Sequence, residues 1–216
     1  MTGSTPAPQR RFDGVLFDLL TALLDSWTLW NAVAGSAATG RRWRAEYLQR
    51  TYRAGAYRPY ELLVGEAAEA VGLPRHVADM LADRYGELQP WPDVGAVLGK
   101  LAAAGLRLGV VTNCSEALGR IAAGGVGIAF DAVVTAERAG CYKPDPRTYR
   151  LGLAELGVAP ERCLFVAGSA YDLVGTAAVG LATYWHDRVG MVRPHGAPPP
   201  YAHERNLLAL PAIALG

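Results

Sequence analysis

Residues 12–20 read FDGVLFDLL, an apolar run rich in strand formers that closes near an acid, Asp18. Four further runs of this kind follow: 106–113 (LRLGVVTN), 130–135 (FDAVVT), 162–169 (RCLFVAGS) and 182–188 (ATYWHDR). Helix-like stretches separate most of them, over 93–104, 116–123, 146–156 and 171–179. From residue 93 onward strand and helix alternate. That order predicts an α/β fold, a Rossmann-like three-layer arrangement with a parallel sheet between two layers of helices. In such sheets ligands bind beyond the carboxyl ends of the strands. The residues at those ends are Asp18, Thr112, Asn113 and Ser169, with Asp172 just after.

Residues 26–89 break the alternation. They read as helices over roughly 27–38, 41–54, 60–71 and 75–87, and Gln89-Pro90-Trp91-Pro92 reads as a stiff hinge back into the core. The expected organisation is an α/β core from 12–25 and 90–216, with an inserted helical cap domain, 26–89, over the strand ends. Residues 1–11, MTGSTPAPQRR, read as a disordered tail.

Composition excludes several classes. The chain has 216 residues, 51% apolar and 19% charged, with a net charge of +1. That apolar fraction rules out wholesale disorder, and near-neutrality argues against a general nucleic-acid or membrane-surface binder. No signal-peptide pattern and no apolar stretch of membrane-spanning length is read, so the expected location is the cytoplasm. Three cysteines (114, 141 and 163) form no CxxC pair and read as free thiols in a reducing compartment. The four histidines (76, 186, 195 and 203) are scattered and make no zinc pattern.

Two charge features stand out. Arginine outnumbers lysine 19 to 2, the lysines being Lys100 and Lys143. Residues 41–58 hold six arginines and one glutamate, a local +5. Capture of an anionic small molecule, with Arg44 reaching inward, is one reading; a solvated helix face accounts for most of the others. Trp43, Tyr47, Tyr52, Tyr57 and Tyr60 interleave with them and read as aromatic packing of the lid on the core. The lid aromatics would also suit a homodimer.

The strand-end groups each carry two readings. Asp18 is a nucleophile that forms a covalent ester, or a cap on the next turn. Lys143, in CYKPDP, is an ammonium that compensates Asp18, or a surface lysine. Asp145-Pro146 reads as an N-cap with proline at the first helical position, which fixes the loop carrying Lys143. Asp172 orients Lys143 or positions a water, or complements a helix N-terminus. Thr112 and Asn113 bind an anion, or cap the helix after strand two.

Taken in order, VLFD at 15–18, VVTN at 110–113, YKPDP at 142–146 and FVAGSAYDLVGTAAVGL at 165–181 resemble the haloacid dehalogenase superfamily over most of residues 12–188. The resemblance implies an aspartate nucleophile at Asp18. Superfamily phosphatases usually carry a second aspartate two residues later, where this chain has Leu20, and an acid where it has Gly168. The chain looks closer to the L-2-haloacid dehalogenases. YKPDPRTY matches their pattern at Lys143 and Tyr149, WRAEY at 43–47 is similar to their lid segment and places Arg44 at the substrate-clamping arginine, and Asn113 matches the asparagine that cradles the leaving halide.

This resemblance implies two steps. Asp18 displaces halide from C2 of a 2-halo acid, and water then hydrolyses the ester with help from Asp172 and Lys143. Arg44 and Asn113 stabilise the halide, Thr112 and backbone amides hold the carboxylate, and Tyr149 and Ser169 complete the substrate site. No metal cofactor is required. DLLTAL at 18–23 departs from the usual D-x-Y-G-T-L, leaving Ala22 where a hydroxyl normally supports the nucleophile. Ala167 replaces a serine and Ser169 an asparagine. The lost polar supports imply lower activity or a pocket reshaped for another substrate. A magnesium-dependent phosphatase and a non-catalytic binding protein on the same fold are the alternatives.

Overall fold

Strands apolar at nearly every position need cover on both faces. In the computed structural model, which describes residues 10–216, β1 (Gly14–Phe17) is buried throughout. Of the expected tail, residues 1–9 lie outside the described residues. The strands β2 (Arg107–Thr112), β3 (Ala132–Thr135), β4 (Cys163–Ala167) and β5 (Ala182–His186) pair in parallel, with a short β6 (Ala202–Glu204) at one edge, in the order β3-β2-β1-β4-β5-β6. Phe17 lies in register with Val110 on one side and Val166 on the other. Alternate side chains separate into two cores. Val15, Phe17, Val110 and Val166 face one layer, while Leu16, Val111, Phe165 and Ala167 face the other.

Four helices lie between β1 and the helix leading to β2: α1 (Ser26–Val33), α2 (Ala37–Arg53), α3 (Tyr60–Ala70) and α4 (Val77–Asp83). Next come α5 (Val94–Ala103), α6 (Glu116–Gly124) and the one-turn α7 (Ala136–Ala139). After these come α8 (Pro146–Leu156), α9 (Asp172–Ala177) and α10 (Leu210–Leu215). Tyr149 and Leu153 of α8 and Leu173 of α9 cover one face of the sheet. The other face is covered from α5, α6 and α10, and its core continues into α1–α4. The result is the expected three-layer α/β fold with parallel strands.

Two expected boundaries shift. The helix expected over 27–38 stops at Val33, because Gly35 takes a left-handed conformation (φ 78°). Ser36 then caps α2, its hydroxyl accepting from the Thr39 amide at 3.1 Å, so residues 37–40 join the second helix. The helix expected over 75–87 ends at Asp83 and gives way to a tight turn at Tyr85–Glu87. The polar β6, the short α7 and the proline-containing α10 have no strong periodic signal and were not anticipated.

Connectivity positions the site. The chain runs from β1 out through β2 to β3, then returns to the far side of β1 for β4 and β5. That reversal opens a crevice beyond the carboxyl ends of β1 and β4. The two segments joining the helical insertion to the core lie side by side: Leu24 bridges Pro90, and the Asp25 amide donates to the Gln89 carbonyl at 2.8 Å.

Candidate functional site

Asp18 follows β1 directly. Its amide donates to the Val166 carbonyl at 2.9 Å, so the sheet itself aims it into the crevice. A single π-helical turn, Leu19–Leu23, follows and is wholly buried. This turn folds back over the carboxylate. Oδ2 accepts from the amides of Thr21 (2.9 Å) and Ala22 (3.2 Å) and from the Thr21 hydroxyl. The turn is pinned from outside by Trp91, whose indole donates to the Thr21 carbonyl at 3.1 Å.

Gly168, just past β4, makes room for this turn. A Cβ there would sit 2.3 Å from the Ala22 nitrogen and from the carbonyl carbon and hydroxyl of Thr21. Backbone atoms cannot step aside as a side-chain tip can. The position therefore excludes any side chain, an acid included, while the turn stands.

Lys143 reaches Asp18 Oδ1 at 2.8 Å, and Asp172 at 3.2 Å. Asn113 fixes the lysine's backbone: the Lys143 amide donates to Oδ1 of Asn113 (2.7 Å), and Nδ2 donates to the Lys143 carbonyl (3.1 Å). The Asp145 cap on α8 accepts from the Arg147 amide at 2.9 Å and holds the loop from the other end. Asp172 accepts from the Tyr149 hydroxyl at 2.6 Å. Tyr149 is fully buried behind it, packed where Gly175 leaves space: a Cβ at 175 would lie 2.3 Å from the ring.

These three charges are buried, and their proton affinities diverge. Burial pushes the Asp18 carboxyl up, but the Lys143 ammonium and the Thr21 hydrogen bonds outweigh it and hold it below the usual carboxylate range. Burial, aided by the Asp18 charge, keeps Asp172 above that range despite Lys143 and Tyr149. Burial alone would lower Lys143, but the two carboxylates keep it protonated. One carboxylate is thus firmly ionised beside another with raised proton affinity, a division suited to a nucleophile and a base.

Arg44 enters from α2 and is 5% exposed. Nη1 donates to the Ser26 hydroxyl at 2.6 Å, and that hydroxyl donates to the Leu20 carbonyl. The guanidinium lies 4.2 Å from the Trp27 ring centroid and 5.5 Å from that of Trp30. It has no carboxylate partner among the described residues. By contrast Arg50 and Arg58 pair with Glu66 on the outside of the insertion. The aromatics that interleave with these arginines are packed inward. Trp43, Tyr47 and Tyr60 are buried, Tyr57 stacks on Tyr142 at 5.4 Å, and the Tyr47 hydroxyl donates to the Asn113 carbonyl at 2.8 Å.

Asp18, Lys143, Asp172, Arg44, Asn113 and Ser169 line one cavity of about 50 Å³, roofed by Leu20, Trp27 and Tyr52. Two expected members stand outside it. Thr112 is buried with its hydroxyl toward the Cys114 sulfur (3.6 Å), because alternation along β2 turns it from the crevice that Asn113 faces. Tyr149 contacts Asp172 rather than the cavity. Thr21 and Ser26 were missed. The hydroxyl absent at Ala22 is supplied from Thr21, a position that only the π-helical turn brings to Asp18. A hard cation does not fit this donor set. The Lys143 ammonium already occupies the space between the two carboxylates, and Gly168 adds no oxygen donor from a side chain.

Residues 12–180 match the family model described as haloacid dehalogenase-like hydrolase. The chain is 28% identical over 211 residues to (S)-2-haloacid dehalogenase 1 of Pseudomonas sp. (strain CBS-3), covering 94% of this chain and 93% of that one. It is 29% identical over 196 residues to (S)-2-haloacid dehalogenase H-109 of Pseudomonas putida, covering 83% and 88%. Among solved structures, that of a dehalogenase with an intermediate complex superposes with a TM-score of 0.83 at 26% identity, covering 95% of this chain and 99% of the other.

Proposed function

The chain belongs to the haloacid dehalogenase-like hydrolase family, and on that premise we propose that it releases halide from small 2-halo acids through an ester on Asp18. The observation that carries this reading is the pairing, across one small cavity, of an ionised Asp18 with a buried Arg44 that has no carboxylate partner among the described residues. An anionic substrate would supply the missing charge. In this reading the helices α1–α4 act as a cap that excludes water and delivers Arg44.

Oδ1 of Asp18 is the attacking atom, since it carries only the Lys143 bond, whereas Oδ2 already accepts three. Oδ1 bonds to C2 as the carbon–halogen bond breaks, and the halide leaves with the bonding pair toward Arg44 and Asn113. Water then attacks the ester carbonyl carbon and gives its proton to Asp172. Negative charge develops on Oδ2, inside the donors from Thr21 and Ala22, an oxyanion hole already assembled in the resting protein. The intermediate collapses by breaking the bond between the Asp18 carbonyl carbon and the ester oxygen. Asp172 returns its proton to the departing alkoxide, giving the 2-hydroxy acid, and the new Asp18 carboxyl releases its remaining water proton to solvent, restoring both carboxylates. A halide needs no protonation, so Leu20 costs this chemistry nothing, while it cannot protonate the alkoxide of a phosphate ester.

The test is halide release from chloro-, bromo- and fluoroacetate. Release that disappears in Asp18→Asn, together with a mass-trapped ester on the Asp18 peptide, supports the reading. Folded protein that releases halide from none of them overturns it.

A further inference from the structure

A second and larger cavity, of about 540 Å³, adjoins the first. Trp27, Leu48, Tyr52, Tyr171 and Met191 line both, so they form the partition between them. The Tyr52 and Tyr171 rings lie 4.9 Å apart, linking α2 to the approach to α9. Beyond the partition stand Arg41, Arg188, Asn31 and Gln49, and no acidic residue lines this chamber among the described residues.

One of the two arginines, Arg41, retains capacity for an anion. Arg41 is exposed at the rim and makes no ion pair among the described residues, unlike Arg50 and Arg58 on the same insertion. Arg188 pairs with Asp93 and lies over the Trp91 ring at 4.9 Å, so its charge is already compensated and it serves as part of the wall.

Size divides the labour. The inner cavity is about 50 Å³ against about 540 Å³ for the outer chamber, so the inner one suits the reacting end of a molecule and the outer one the remainder. The outer chamber falls within the range of ordinary small-molecule sites, roughly 300–1,000 Å³. Its aromatic wall suits an apolar body, and the Arg41 guanidinium suits a carboxylate, which it can bind through paired hydrogen bonds.

We infer that the outer chamber receives the tail of an elongated 2-halo acid that ends in a second carboxylate, held by Arg41. This inference rests on the dehalogenase reading for the reacting end and adds no chemical step to it.

Calorimetric titration with octanedioate and octanoate reads the chamber whether or not halide is released. Octanedioate is expected to bind about tenfold more tightly, the scale of one charge-assisted contact, and Arg41→Ala to bring the ratio toward one. The kcat/KM ratio of 2-bromooctanedioate to 2-bromooctanoate should move in the same way. Equal binding of the two acids, or a ratio that Arg41→Ala leaves in place, overturns the assignment. Halide release from 2-bromopropanoate but from neither longer acid does so too. Release from none of the three fails the dehalogenase reading instead, and the titration still decides the chamber.

Discussion

Thr21 and Lys143 hold opposite oxygens of the same carboxylate. In the proposed mechanism this divides their roles by step: Lys143 positions the attacking oxygen, and Thr21 receives the charge formed when water attacks the ester. Thr21→Val removes one donor to a charged oxygen, a contact of about 1.5–3 kcal/mol, so turnover should fall by roughly 10- to 100-fold. The loss belongs to the second step, so the esterified fraction of Asp18 should rise under steady turnover, as read by mass spectrometry. Thr21→Ser should restore most of the rate. An ester fraction unchanged in Thr21→Val would remove Thr21 from the oxyanion site. Asp18, Lys143, Asp172 and Arg44 were legible in the sequence because each sits in a run whose order along the chain maps onto strand ends or lid. Thr21 was not, since its approach depends on a turn wound more widely than an ordinary helix, which no spacing rule marks. Thr112 lies outside the cavity for a related reason: a strand's last residues alternate in direction, and the sequence does not say which faces the crevice.

At the scale of elements, the site depends on how chain segments end. The α8 cap is one case. Asp145→Ala removes the side chain that accepts from the Arg147 amide, and should lower stability by about 0.5–2 kcal/mol in urea denaturation. Because that cap also fixes the loop carrying Lys143, kcat should fall in the same variant. The end of β4 is another. Gly168→Ala forces a methyl against the backbone at Thr21 and Ala22, and should cost about 1–3 kcal/mol of stability together with most activity. A variant with native stability would mean that the turn can relax. Strands and most helices were legible because apolar runs and caps are local signals. The division between α1 and α2 turned on one glycine, and β6 gained its place from backbone pairing with β5 rather than from its own polar sequence.

Across the whole molecule, the buried His186 ties β5 to the site. Its Nδ1 lies 3.1 Å from the Ala22 carbonyl, and Nε2 has no partner among the described residues. Burial, reinforced by the Arg188 charge, pushes its pKa down from 6.5 to about 4. The unfolded chain therefore takes up a proton from about pH 6.5 downward while the folded protein does not, and stability declines as pH falls through that window. Between pH 7 and 5.5 the contribution is about 1 kcal/mol, readable as a drop in the urea midpoint that His186→Asn should flatten. The layered fold was legible from the alternation of runs alone. The distance relations that join β5, the π-helical turn and Asp18 were not, because they link residues 164 positions apart.

The contact between Gly168 and the turn at Thr21 also constrains where this sequence can go by mutation. An acid at 168, where the superfamily's phosphatases usually carry one, would collide with the backbone that follows the neighbouring strand before it offered any charge. Any substitution at Thr21 that vacates the space removes a support of Asp18 first. Position 168 and the turn at Thr21 and Ala22 are therefore coupled: a side chain at 168 is expected to be accommodated only if the winding of that turn changes with it.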